Sequence, residues 1–186
     1  MHNSLTSRYD ERGNGIGQCF FGIDGKPKGN SSGIACVTWR YNERGNKLEE
    51  ALFGVDGKPT IPRNDFAATQ RFSYTDDGDT LIAATYLDER GEMIPIEVEV
   101  QAIVPNSVAT KAGLMPGDRL LSYASVEIQS TQQFIYLVGR PAETPRTIVY
   151  RRGENVLTVD IPPGRVGVQI HNIPAKRPIE GELPAH

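Results

Sequence analysis

Gly29-Asn30-Ser31-Ser32-Gly33 fits the G-x-S-x-G spacing of a nucleophilic serine, a chemistry that needs a strand before the serine, a helix after it and a histidine within reach. Its context is wrong for that role. The same place in a neighbouring repeat reads Ile61-Pro62-Arg63-Asn64-Asp65, with no serine, so the segment is a loop between hairpins. The histidines, His2, His171 and His186, fall at or outside the ends of the expected domains, and no triad can be assembled. Asp76-Asp77-Gly78-Asp79 has the carboxylates for calcium but not the distal Glu or the ligand alternation of a calcium loop, and reads as a solvated turn. Gly13-Asn14-Gly15-Ile16-Gly17 has no long helix after it to present an N-terminus to phosphate and reads as a hairpin corner. Cys19 and Cys36 lack the company a structural zinc needs; they are expected to be two unbridged thiols, with a single bridge as the alternative. No catalytic residue, metal or cofactor is therefore expected. Gly164-Arg165-Val166-Gly167-Val168-Gln169-Ile170 offers a different chemistry. Two glycines let the backbone turn so that successive N–H groups converge on an anion, and Arg165 adds a charge beside them.

The elements that position these residues follow from composition and pattern. Lys and Arg number 20 against 23 Asp and Glu, a net charge of −3, which argues against nucleic acid and against an anionic membrane surface as partners. The acidic excess lies before Ile94; the rest is balanced. Nineteen Gly, 13 Pro and a 38% apolar fraction predict many turns, short helices and a lean core. No apolar run is long enough to span a bilayer, and Met1 to Ser7 does not form a signal peptide, so a soluble chain is expected.

The first half is repetitive. Arg8-Tyr9-Asp10-Glu11-Arg12-Gly13-Asn14 recurs as Arg40-Tyr41-Asn42-Glu43-Arg44-Gly45-Asn46, and Phe20-Phe21-Gly22-Ile23-Asp24-Gly25-Lys26-Pro27 as Leu52-Phe53-Gly54-Val55-Asp56-Gly57-Lys58-Pro59. A weaker third copy, shifted by one more residue, includes Ser73-Tyr74-Thr75-Asp76-Asp77-Gly78-Asp79 and Thr85-Tyr86-Leu87-Asp88-Glu89-Arg90-Gly91-Glu92. Each unit carries Asp/Asn-Gly turn signals between short aromatic or β-branched segments such as 37–41, 48–53 and 70–74, which predicts an antiparallel meander over 8–94, about two and a half copies. A chain that enters a repeat so early is expected to be the tail of a longer array. The units resemble tyrosine- and glycine-rich tandem repeats of bacterial proteins; a looser resemblance to cell-wall-binding repeats implies glycan contact.

Beyond Pro95 the pattern changes. Ile96-Glu97-Val98-Glu99-Val100 alternates as a half-exposed strand. Asn106 or Ser107 can cap a short helix that Gly113 ends, with Ala109, Ala112 and Leu114 facing the core; Pro116-Gly117-Asp118 turns into the strand 119–123. Thr131 to Val138 predicts a two-turn helix between Ser130 and Gly139-Arg140-Pro141, and 147–151 and 156–161 predict a strand pair. Arg146, Arg151 and Arg152 read as a solvated edge that discourages strand pairing. The run from Val104 to Ser122 resembles the PDZ signature P-x-S-x-A-x-x-A-G-L-x-x-G-D-x-(I/L)-L-S, and residues 95–171 are identified as a PDZ-like domain, with 172–186 a loose tail. Ala124-Ser125-Val126 departs from the Asn-Gly hairpin common in relatives, so a less tight turn is expected there.

The fold class expected is mainly β: hairpin repeats followed by a partly open β-barrel with two short helices. The resemblance implies that the domain binds the C-terminal or extended peptide of a partner protein by strand addition. Its carboxylate loop would be Gly164 to Gly167, its pairing edge Val168, Gln169 and Ile170, and its opposite wall the helix face bearing Thr131, Ile135 and Val138, with Phe134 and Leu137 turned toward the core. Because loop and strand come last in sequence, the arrangement resembles the permuted PDZ modules of bacterial envelope proteases. That likeness raises a regulatory, substrate-sensing component of a protease system as an alternative to a non-catalytic scaffold, with a glycan-binding surface protein as a third reading. Partner identity and oligomeric state stay open. The end, Glu182 to His186, could reach a groove in this or a neighbouring molecule.

Overall fold

Three hairpins in succession make the first sheet. The computed structural model describes residues 4–78 and 80–175, and within them β1 (Ser4–Tyr9), β2 (Gly15–Phe21), β3 (Cys36–Tyr41), β4 (Lys47–Phe53), β5 (Thr69–Tyr74) and β6 (Leu81–Leu87) pair antiparallel in chain order. The corners form for local reasons. Asp10 Oδ1 accepts the N–H groups of Arg12 and Asn14 at 3.0 and 2.8 Å, and Asn42 Oδ1 accepts those of Arg44 and Asn46 at 3.0 and 2.9 Å. The hydrogen bond from the Asn14 side chain, foremost, holds the Asp10 carboxyl below its ordinary value. The third unit is a whole hairpin with the same small bridge after its second strand: Phe21 with Pro27, Phe53 with Pro59, Leu87 with Met93. Its first corner is one residue longer again, closing from Thr75 N–H to the Thr80 carbonyl where the earlier corners close from Asp10 to Asn14 and from Asn42 to Asn46.

The cysteines correct the expectation of unbridged thiols. Cys19 and Cys36 lie directly opposite each other in the β2–β3 register and are joined as a disulfide. The lean core has a structural cause in this sheet: most side chains on both faces of β1–β5 stay at least partly exposed, and the fully covered positions are small ones such as Gly17 and Ala51.

The second sheet holds β7 (Ile96–Ile103), β8 (Arg119–Tyr123), β9 (Val126–Glu127), β10 (Arg146–Arg152), β11 (Asn155–Ile161) and β12 (Val168–Pro174), in the order β11-β10-β8-β7-β12 with β9 on β8. Two helices cover it, α1 (Val108–Lys111) and α2 (Thr131–Gly139). Ser107 caps α1 by accepting from Thr110 N–H, and Gly113 follows at φ +74°. The large buried side chains gather here, among them Val98, Val100, Leu120, Tyr123, Ile148 and Ile161. The chain is thus mainly β, with two open antiparallel sheets rather than a closed barrel. No described helix is long and apolar enough to cross a membrane.

Three expectations change. Arg146, Arg151 and Arg152 do not form a solvated edge: β10 lies between β8 and β11, and each arginine has fixed partners. Arg146 donates to the carbonyls of Leu137 and Pro141, Arg151 pairs with Glu97, and Arg152 with Asp118. β12 runs on to Pro174, paired with β7, so 172–174 belong to the sheet and not to a loose tail. The turn at Ala124-Ser125 is as tight as a hairpin can be. Tyr123 pairs with Val126, and the two intervening residues take φ of +51° and +65°.

That turn carries a prediction. Both central residues occupy the left-handed region that a two-residue hairpin requires, at roughly 1 kcal/mol or more apiece for residues other than Gly, Asn or Asp. Replacing Ala124-Ser125 by Asn-Gly is expected to raise unfolding stability by about 1–2 kcal/mol in urea titration; an unchanged midpoint would show that the turn is not strained.

Candidate functional site

β12 is the last strand of its sheet: β7 pairs one edge, and among the described strands none pairs the other. Facing that open edge is α2. Its N-cap Ser130 accepts from Gln133 N–H, and Phe134 and Leu137 are its buried positions. The helical period therefore leaves Ile135 and Val138 on a second face; Ile135 is 63% exposed. Between strand and helix runs a groove of about 700 Å³ lined by Phe134, Ile135, Val138, Gly139 and the stretch Gly164 to Ile170.

The loop that opens β12 is held from behind. The Val166 carbonyl accepts Ala109 N–H at 2.8 Å, and the Gly167 carbonyl accepts Val104 N–H at 2.9 Å and the Ser107 hydroxyl at 3.4 Å. No peptide bond is cis. In a trans peptide the C=O and the following N–H point opposite ways. With both carbonyls turned toward α1 and β7, the N–H groups of Gly167 and Val168 face away from them, on the groove side. Two successive amides aimed alike make a cradle for an anion. Arg165 sits exposed beside it.

Glycine is required at the centre of this loop. Gly167 has φ +81°, and a Cβ there would lie 2.3 Å from Ser107 Cβ. Gly164, at φ +114°, has open space around it.

Of the expected site residues, Gly164, Arg165, Val166, Gly167, Val168, Gln169, Ile170, Ile135 and Val138 come together around the groove. Thr131 does not line it; its N–H is taken by Asn172 Oδ1 at 2.8 Å. Phe134 meets the core, edge-on to Tyr123 at 5.7 Å, and also forms part of the groove surface. Gly139 was missed, although it falls four residues after Ile135, the spacing that returns to one helical face. Glu182 to His186 lie outside the described residues, as do His2 and Asp79. Among the described residues no group of three His, Cys, Asp or Glu is placed to hold a metal.

No curated protein matches the chain. Residues 99–152, which run from β7 through α1, β8, β9 and α2 to the end of β10, match the PDZ domain family; the glycine loop and β12 lie beyond the matched stretch. A PDZ domain, whose members in general bind peptides, is therefore found at residues 99–152 of this chain.

Proposed function

We propose that the chain is a non-catalytic peptide-binding or scaffolding protein whose groove takes the C-terminus of a partner as an added strand. The observation that carries this reading is the open edge of β12 beginning in a pair of groove-facing amides. An extended peptide running antiparallel to β12 can exchange backbone hydrogen bonds with that edge and deliver its terminal carboxylate to Gly167 and Val168 N–H. Ile135, Val138 and Phe134 offer its last side chain an apolar hollow. The hairpin repeats act as a spacer or as a further contact surface.

A second reading rests on chain order. The loop and its strand come last, the permuted order of bacterial envelope-protease modules, which favours a substrate-sensing component of a proteolytic system. Co-purification with a protease separates it from a scaffold.

The groove reading is tested by fluorescence anisotropy with a pool of labelled peptides ending in an apolar residue and a free carboxylate. Hydrogen bonds to a charged group contribute about 1.5–3 kcal/mol, so amidating the peptide terminus is expected to weaken binding roughly 10- to 100-fold. Ile135→Glu should abolish binding while moving stability by less than about 0.5 kcal/mol, as exposed substitutions do. Binding indifferent to amidation overturns the mechanism.

A further inference from the structure

One wall of the groove is a strand, β12, and the other a helix, α2, and something must set their separation. Neither wall is tied only to the other. Asn172 projects from β12 at its far end from the glycine loop. Its Oδ1 accepts the N–H of Thr131, the first residue of α2, at 2.8 Å. That is one of the N–H groups that a helix start leaves without an internal partner. Its Nδ2 donates to the hydroxyl of Tyr86 at 2.5 Å, and Tyr86 belongs to β6, the last strand of the hairpin sheet.

A second tie stands beside the first. Ser130, fully buried, caps α2 by accepting Gln133 N–H at 3.2 Å, and the same oxygen lies 3.4 Å from Ala84 N on β6. The start of α2 is thus held by β12 on one side and by β6 on the other. Tyr86 itself is locked in place: it is 5% exposed, and its ring lies 5.1 Å from that of Phe66. Burial pushes its phenol up from the ordinary value, against hydrogen bonds from Asn172 and Gln132, so it is a neutral hydrogen-bonding group at physiological pH.

From this junction we infer that Asn172 is a positioning residue that sets the spacing of the β12–α2 groove and couples peptide binding to the hairpin sheet through Tyr86. The inference rests on the groove being the peptide site. Asn172 and Tyr86 are not among the groove-lining residues; they act on the ligand through the helix start. The groove can keep its width only while both bonds of Asn172 are made. Loss of the Tyr86 hydroxyl frees the amide to rotate away from Thr131 N–H. Coupling of this kind is reciprocal: a peptide that holds α2 against β12 must also hold the seam against β6. The hairpin sheet then helps to shape the groove, beyond serving as a spacer.

The test uses the full chain and the tightest free-carboxylate peptide of the pool described above. Tyr86→Phe is expected to raise its Kd about three- to tenfold and Asn172→Ala tenfold or more. Asn172→Asp, which can accept from both Thr131 N–H and the Tyr86 hydroxyl, is expected to restore affinity to within about twofold. A purely structural role for Asn172 would not give that rescue together with peptide-induced slowing of hydrogen exchange at Ala84 N–H, which lies outside the groove. Carboxylate-dependent binding that is unaltered in Asn172→Ala overturns the inference and leaves the groove reading standing. If no peptide in the pool binds, the groove reading fails, and exchange in the free protein still judges the coupling: Tyr86→Phe must speed exchange at Thr131 N–H, and an equal rate overturns it.

Discussion

Arg152→Ala is expected to destabilise the second half of the chain by about 3 kcal/mol. The guanidinium grips Asp118 with two bonds, Nε to Oδ1 at 2.7 Å and Nη2 to Oδ2 at 2.8 Å, and Nη2 also donates to the Gly113 carbonyl at 2.8 Å. Asp118 is 1% exposed and carries one further bond, from Met115 N–H at 2.8 Å. Removing the arginine leaves a buried carboxylate with a single donor, and breaking a buried pair from one side costs about 3–5 kcal/mol. The low end applies because the Arg152 side chain is 35% exposed, so water can reach the space it vacates. Arg152→Lys keeps the charge but loses the fork that matches a carboxylate, and should recover only part of the loss. Trp39, the single tryptophan, lies in β3, so its fluorescence follows the hairpin sheet. Hydrogen exchange in urea at the amides of β8 and β10, which carry Tyr123 and Tyr150 in the core, is the measurement that follows the second sheet. A loss below about 1 kcal/mol would mean that Asp118 finds other partners.

What could be read from the sequence was local. The Asp and Asn corners, the caps at Ser107 and Ser130 and the strands they delimit depend on residues within four positions of one another, so pattern alone places them. The groove residues were legible for a related reason, because glycine at 164 and 167 followed by alternating apolar residues marks a turn into a strand. Most of the misreadings depend on pairing across the chain. Arg152 and Asp118 are 34 residues apart, and charge count cannot tell a solvated arginine from one that closes a buried carboxylate. The Cys19–Cys36 bond needs the β2–β3 register, which places the two opposite each other. Ala124-Ser125 lacks the glycine that usually announces a two-residue turn, and the strands on either side impose it nonetheless. Asn172 falls in a stretch that reads as a loose tail because its partners, Tyr86 and Thr131, are 86 and 41 residues away.

The anion cradle gives the other large effect. Gly167→Ala is expected to cost about 3 kcal/mol or more and to abolish peptide binding, whereas Gly164→Ala costs only its backbone strain. Both glycines have positive φ, and an L-residue there loses roughly 1–3 kcal/mol. Gly164 has open space around its missing Cβ, so nothing is added. At Gly167 the new methyl would stand 2.3 Å from Ser107 Cβ and 2.8 Å from its hydroxyl. The loop cannot slide away without breaking the bonds from Ala109 and Val104 to its carbonyls, the same bonds that turn the Gly167 and Val168 N–H groups outward. Stability and binding are therefore lost together. Ser107→Gly in the Gly167→Ala background removes the collision but not the strain, and gives up the α1 cap, worth a few tenths of a kcal/mol against glycine. The double variant should recover about half of the stability loss. Urea midpoints for the two single variants decide the argument, since equal destabilisation by Gly164→Ala and Gly167→Ala would show that the packing of Ser107 against the loop plays no part in holding the cradle.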